Sequence, residues 1–278
     1  MARGLNTVYL AGTVTEKPEL AYTQGGLAIL KVNVAGSDHV LGDDGQAREL
    51  AWYHRVTLFG AQAEAAVNQL QASTPVLVEG RLQHNRWQTP DGQNRSTIDI
   101  IASRVDPMTF GGRDENDATI IDARGQHRLR DAFNQVLVVG NLTRDAEYRE
   151  TPNGIPLVRF SIAVNERIYK RGGGTDYDER VHFFDATAWR ELAIGAQNLQ
   201  KGDPVFISGR LVRESWVDKE GNNRSTTRIE VQRVEHLTRG PGTGGAGTQP
   251  SGQPQAGQAS TSTLDIDDEF PPEEDLPF

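Results

Sequence analysis

Residues 74–105 read TPVLVEGRLQHNRWQTPDGQNRSTIDIIASRV, and residues 203–234 read DPVFISGRLVRESWVDKEGNNRSTTRIEVQRV. They align without a gap at an offset of 129, with 14 identities in 32 positions. Gly80-Arg81-Leu82, Trp87 and Asn94-Arg95-Ser96-Thr97 recur as Gly209-Arg210-Leu211, Trp216 and Asn223-Arg224-Ser225-Thr226. Within each stretch Val76, Val78 and Leu82 (Val205, Ile207 and Leu211) mark one strand. A long hairpin turns at Asp91-Gly92 and Glu220-Gly221, where glycine supplies the positive φ that such turns need. The return strand carries Ile100 and Ile229.

The repeat extends upstream. Residues 5–35 align with 133–163 at an offset of 128, and Asn6, Val8, Gly12, Thr15, Glu19, Thr23, Gly26 and Ala35 recur as Asn134, Val136, Gly140, Thr143, Glu147, Thr151, Gly154 and Ala163. The chain is thus two copies of one domain, each too long for a solenoid unit and of the right size to fold alone. Inside each copy the pattern is mostly period 2. Leu30, Val32 and Val34 alternate with Ile29, Lys31 and Asn33, and Val158, Phe160 and Ile162 with Leu157, Arg159 and Ser161. A further strand sets Trp52, Val56 and Leu58 inward and Tyr53, Arg55, Thr57 and Phe59 outward; its counterpart sets Ala186 and Ala188 against Phe183, Asp185, Thr187 and Trp189. One helical signal follows, at Ala63, Val67 and Leu70 and again at Leu192, Ala196 and Leu199. Three strands, a short helix and two strands predict an all-β chain of two tandem five-stranded OB-fold barrels. The strand count is too low for an immunoglobulin-like sandwich.

The predicted organisation is an N-terminal OB domain over 1–110, a polar linker over 111–132 in which Ile120-Ile121 forms a short strand, a C-terminal OB domain over 133–240, a disordered tether over 241–263 and an acidic tip over 264–278. Of 278 residues, 29 are Lys or Arg and 38 are Asp or Glu, for a net charge of −9. That total argues against a basic nucleic-acid binder only until it is located. Seven acidic residues and no basic one lie in the last 15, so the two domains and linker sum to −2. The absence of Cys excludes disulfides and thiolate-held metals. With no apolar leader or membrane span in the sequence, the expected location is the cytoplasm.

Three features carry chemistry. Outward aromatics on the third strand, at matching places in both copies and interleaved with Arg55, suit base stacking; covering a barrel end or domain interface is the plainer alternative. Arg86-Trp87 on the long hairpin, matched by Trp216 with Arg81, Arg95, Arg210 and Arg224 nearby, fits a strand-embracing arm as well as it fits an ordinary solvated hairpin. The tip sets Phe270, Leu276 and Phe278 among acids, which suggests a peptide that docks in a basic groove. A calcium loop does not fit there, because Phe270 stands where glycine is needed. No phosphate loop, nucleophile elbow or His pair at i,i+4 occurs, so no catalytic residue, metal or cofactor is assigned and no enzyme is expected.

These residues resemble the bacterial single-stranded DNA-binding protein family, in its form with two OB domains per chain. The resemblance rests on Leu5-Asn6-Thr7-Val8 through Gly12, Pro18-Glu19-Leu20-Ala21-Tyr22-Thr23, Trp52-Tyr53-His54-Arg55-Val56-Thr57-Leu58-Phe59-Gly60, Val78-Glu79-Gly80-Arg81-Leu82 and the ending Asp275-Leu276-Pro277-Phe278. It implies sequence-nonspecific single-stranded DNA binding, with bases stacked on Tyr53, Phe59 and Trp87 in copy one and on Phe183, Trp189 and Trp216 in copy two, where Tyr169 lies close to the place of a further stacking Trp of the family. Phosphates would be held by Arg3, Lys31, Arg55, Arg81, Arg86 and Arg95, and by Arg159, Arg210 and Arg224. Two departures stand out: a family Trp falls on Val40, and the Arg kept at Arg55 becomes Asp185 in copy two, so the copies are expected to be unequal. The resemblance also implies a homodimer presenting four OB folds, a nucleoid-associated location, and recruitment of replication, recombination and repair proteins by Phe270, Asp275, Leu276, Pro277 and Phe278. The competing expectation is an OB module for RNA or a protein. A nuclease or ligase using OB accessories lacks its catalytic set.

Overall fold

The structure is a computed structural model that describes residues 4–41, 46–88, 94–109, 118–169, 177–217, 221 and 223–237. Copy one is built from β1 (Leu5–Val14), β2 (Leu20–Tyr22), β3 (Ala28–Leu41), β4 (Ala47–Phe59), α1 (Gly60–Val67), β5 (Pro75–Gln88) and β6 (Asn94–Pro107). β1 pairs with β3, β3 with β4, β4 with β6 in parallel, β6 with β5, and β5 with β1. Five strands thus close a barrel in the OB order; β2 is a short arm added to β3. Alternation places Val8, Leu10, Leu30, Val32, Val34, Val56, Leu58, Val76, Val78 and Leu82 in its core, all at 1% exposure or less. Ala63 of α1 and Leu70, just beyond it, join the same buried core.

After the junction strands β7 (Thr119–Ile121) and β8 (His127–Leu129), copy two repeats the plan. Its elements are β9 (Phe133–Leu142), β10 (Glu147–Glu150), β11 (Pro156–Tyr169), β12 (Tyr177–Trp189), α2 (Glu191–Ala196), β13 (Pro204–Val217) and β14 (Asn223–His236). The barrel closes through the same pairs, including a parallel β12–β14 contact.

The recurrent Gly-Arg-Leu of the opening stretches has a steric cause. The β5–β6 register shifts between Glu79 and Gly80, and the β13–β14 register between Ser208 and Gly209. At these bulges the partner strand comes so near that a Cβ on Gly80 would lie 2.5 Å from the Ile101 carbonyl oxygen. On Gly209 it would lie 2.1 Å from that of Glu230.

The barrels share one sheet. β1 and β9 run antiparallel from Leu5↔Val139 to Ala11↔Phe133, centred on Val8↔Val136. Those two residues are equivalent under the repeat, and Asn6↔Val138 is mirrored by Leu10↔Asn134, so the pairing is two-fold symmetric within a single chain. The domains meet again where the inward face of β4 runs past its own barrel. Trp52 and His54 are in phase with Val56 and Leu58 and stack on one another with ring centres 5.4 Å apart. The Trp52 indole lies over Gly12 and Gly36 of its own copy, while His54 reaches copy two. His54 Nε2 lies 3.2 Å from the Leu211 carbonyl and 3.3 Å from Asn134 Nδ2.

Burial pushes His54 down to about 4, and His84, less buried and beside Arg86 and His182, is also down to about 4. In the unfolded chain both titrate near 6.5. The unfolded state therefore takes up protons first, and stability present above pH ~6.5 is lost as pH falls towards 4, by up to about 3 kcal/mol for His54. Urea unfolding between pH 7.5 and 4.5 should show this slope, and His54→Gln should flatten it.

The described part of the junction, 118–132, is more than a spacer. β7 and β8 form a hairpin whose strand β8 pairs in parallel with β3 at Leu129↔Gly36. Ala132 donates its N–H to the Ser37 carbonyl at 3.0 Å.

Candidate nucleic-acid interface

The outward face of copy one centres on β4. Tyr53 and Phe59 are 40% and 37% exposed, with Arg55 exposed between them. Their β3 neighbours are Ala35, Asn33 and Ile29, and exposed Lys31 stands opposite Thr57. Arg55 Nε donates to Asn33 Oδ1 at 2.9 Å, and Asn33 Nδ2 donates to Glu16 Oε1 at 2.6 Å. A second chain of bonds runs along β5, from Arg81 to Gln83 (3.2 Å), Gln83 to Asn85 (2.9 Å) and Asn85 to Asp99 (2.6 Å). The resulting surface is polar, partly cationic and set with accessible rings. Val40, where the resemblance implies a Trp, pairs with Arg48.

Copy two presents Phe183 and Trp189 on β12, both partly exposed. Here two of the sequence-assigned cations behave differently. Arg159 is 5% exposed and Arg210 9%. Arg210 donates from both Nε and Nη2 to the one oxygen Glu230 Oε1, at 2.9 and 2.5 Å. Arg159 lies in the field of Glu214, which also pairs with Arg228 at 2.8 Å. Alternation puts both arginines on the outward face, but acids from β13 and β14 cover them.

Asp185 belongs to this network. It is partly buried, accepts a hydrogen bond from Ser161, and feels Arg144, Arg228 and, across the domain boundary, Arg86. Burial outweighs these cations and raises its carboxyl above the usual range. The equivalents of Arg144, Asp185 and Arg228 in copy one are Glu16, Arg55 and Asp99, so three signs are reversed together. Over the eight equivalent positions 16, 31, 33, 55, 81, 85, 99 and 101 copy one sums to +1, and so does copy two at 144, 159, 161, 185, 210, 214, 228 and 230. The loss of the Arg at 185 is thus offset locally. Asp185→Arg should destabilise copy two by about 1–3 kcal/mol, because it sets a third cation beside Arg144 and Arg228, without tightening binding. Adding Arg144→Glu and Arg228→Asp should restore the thermal midpoint.

The two faces meet across the domain boundary. The Arg86 guanidinium carbon lies 5.2 Å from the centre of the Phe183 ring, a cation–π distance, and His84 meets that ring edge-on at 6.4 Å. Arg81 Nε pairs with Glu166 at 3.2 Å, and Glu166 in turn binds His182 at 2.9 Å. The hairpin of copy one therefore completes the surface of copy two. Tyr53 has a different neighbour: its hydroxyl donates to Asp122 Oδ2 on the junction hairpin at 2.5 Å.

For Trp87, Arg95, Tyr169, Trp216 and Arg224 the description covers the backbone alone. Trp87↔Arg95 and Trp216↔Arg224 are register partners on their hairpins, and Tyr169 pairs with Tyr177. Arg3, the turn residues 91–92 and 220, the tether, and the tip with Phe270, Asp275, Leu276, Pro277 and Phe278 lie outside the described residues. The sequence reading missed His84, Arg144, Arg228, Glu166 and Asp122. Only Asp122 had a local signal, the Asp122-Ala123-Arg124-Gly125 turn, in which Gly125 has φ 76°.

Two closed barrels sharing a sheet, with rings and cations on their outer faces, define a tandem OB-fold protein. The Single-strand binding protein family matches residues 5–108 and 133–237. The chain belongs to that family, and its similarity to family members extends over its full length. It is 47% identical over 281 residues to the single-stranded DNA-binding protein of Thermus aquaticus and 44% identical over 309 residues to that of Deinococcus radiodurans, each covering 100% of both chains. The crystal structure of the wild-type Thermus aquaticus protein aligns with a TM-score of 0.67 at 41% identity, over 88% of this chain and 98% of that one. Among the described residues no helix is long and apolar enough to cross a membrane.

Proposed function

We propose that this chain binds single-stranded DNA without sequence preference and without catalysis. The observation that carries the reading is the row of accessible rings, Tyr53 and Phe59 on β4 and Phe183 and Trp189 on β12, set among polar and cationic groups on two faces joined by Arg86. Every base has a π-face, so stacking at about 1–3 kcal/mol per base is tolerant of sequence. Phosphates are met by Lys31, Arg55 and Arg86, which are exposed, while Arg159 and Arg210 serve by holding the face in shape. Two chains associate to present four OB folds, in the cytoplasm at the nucleoid. Mass measurement in solution, with a result of one chain, would refute that assembly. Competition of oligo-dT against structured RNA and duplex DNA tests the ligand: a clear preference for oligo-dT is expected, and equal or better binding of RNA would overturn it.

The acidic tip recruits replication, recombination and repair proteins. Its seven acids are attached through a charge-free tether, so they do not cancel the local cations on the barrels. Deleting 265–278 should leave oligo-dT affinity unchanged or raise it, since a competing polyanion is removed, and should abolish capture of those partners. A clear loss of DNA affinity in the truncated chain would contradict this role.

A further inference from the structure

We propose that Asp122 is a positioning residue for Tyr53, and that the junction hairpin thereby preorganises the base platform of copy one. The inference rests on the reading of Tyr53 as a DNA contact. The carboxylate is fixed by its own turn: Oδ1 accepts the backbone N–H groups of Arg124 at 2.8 Å and Gln126 at 2.9 Å. That leaves Oδ2 for the Tyr53 hydroxyl. The hairpin is fixed in turn. Besides the β8–β3 pairing, Arg128 donates to Ser37 Oγ at 3.0 Å and pairs with Glu49 at 3.2 Å. A continuous set of bonds runs from β3, the neighbour of β4, round to the phenol. The ring is held at its tip while 40% of the residue remains exposed.

The internal repeat supplies the comparison. The equivalent of Tyr53 is Phe183, which has no hydroxyl and is braced by Arg86 and His84. The equivalent of Arg86 under the repeat is Ser215, so the hairpin of copy two offers Tyr53 no matching cation; the charges that act on Tyr53 come from the junction, from Asp122, Arg124 and Arg128. The hydroxyl thus occurs in the copy that has a carboxylate to receive it. A side chain already fixed in its bound orientation pays less ordering entropy when a base stacks on it. A charge-assisted bond from a rigid acceptor is a physical way to fix a ring that packing leaves free.

The test compares Tyr53→Phe, Asp122→Ala, their double variant, and Asp122→Asn in the full chain. Tyr53→Phe keeps the ring and should weaken oligo-dT binding about threefold, with an unchanged thermal midpoint. Asp122→Ala should weaken it equally, and the double variant no further, because both remove one interaction. Additive losses, or tighter binding by Tyr53→Phe, would overturn the inference. Labelling the six tyrosines with 3-fluorotyrosine gives a readout independent of affinity, with the Tyr53 resonance assigned by its absence from Tyr53→Phe. Asp122→Asn should move that resonance and leave the other five in place; no movement overturns the inference. A Tyr53 resonance that Asp122→Asn moves but oligo-dT does not would instead sink the DNA reading of Tyr53 on which the inference rests.

Discussion

Alanine at Phe59 and Trp189 together is expected to lower affinity for oligo-dT by about 30-fold or more while leaving the fold intact. Each ends the third barrel strand of its copy, paired with Ile29 and Leu157 respectively, and each reaches solvent. Stacking at about 1–3 kcal/mol per base makes two lost platforms worth about 2–6 kcal/mol, since sites on separate barrels should add. The contrast is Trp52. It is 6% exposed and packed against His54, so Trp52→Ala should cost about 3–5 kcal/mol of stability as a core truncation and affect binding only through unfolding. Titration beside thermal melts separates the two. An unchanged affinity in the Phe59/Trp189 double variant would mean that the outward rings cover an interface.

The largest effect on stability should come from Gly209→Val. Its new Cβ would lie 2.1 Å from the Glu230 carbonyl oxygen and 3.0 Å from the Glu230 carbonyl carbon. Both are backbone atoms of the closing β13–β14 ladder, so relief requires opening the bulge itself. Because β13 also pairs with β9, and β9 with β1, the damage spreads to the shared sheet. A loss exceeding about 4 kcal/mol, beyond ordinary point substitutions, should leave copy two unfolded at ambient temperature. Gly195→Ala on α2 should do the reverse, since nothing lies within 4 Å of its added Cβ and alanine is favoured over glycine in a helix by about 0.5–1 kcal/mol. Circular dichroism melts of the two variants give the signs directly.

The alternation that predicted the barrels was legible because each strand has one apolar neighbourhood, and Val56, Leu58 and Trp52 fell inward as read. His54 shows where that logic stops. It shares their phase but is buried by the other copy, and no pattern within β4 announces that neighbour. The β1–β9 pairing was hidden for a related reason: a two-fold contact between equivalent strands adds nothing to the sequence of either strand. Arg159 and Arg210 were expected at phosphates from the family resemblance; both lie on the outward face, yet at 5% and 9% exposure they are covered. Their covering acids, Glu214 and Glu230, come from later strands and become neighbours only when the barrel closes. Asp185 read as a weakness until Arg144 and Arg228 were found beside it. Asp122 was visible as a turn residue, whereas its docking on Tyr53 depends on the hairpin's attachment to β3.

The central claim is that the outer faces of the two barrels bind single-stranded DNA by stacking. Its most direct test is a titration of the full chain with oligo-dT of graded length at low salt, read by the fluorescence of its four tryptophans. Quenching should saturate, with an affinity that falls as salt rises and counterion release loses its advantage. Neither quenching nor a mobility shift with excess oligo-dT at low salt would contradict it.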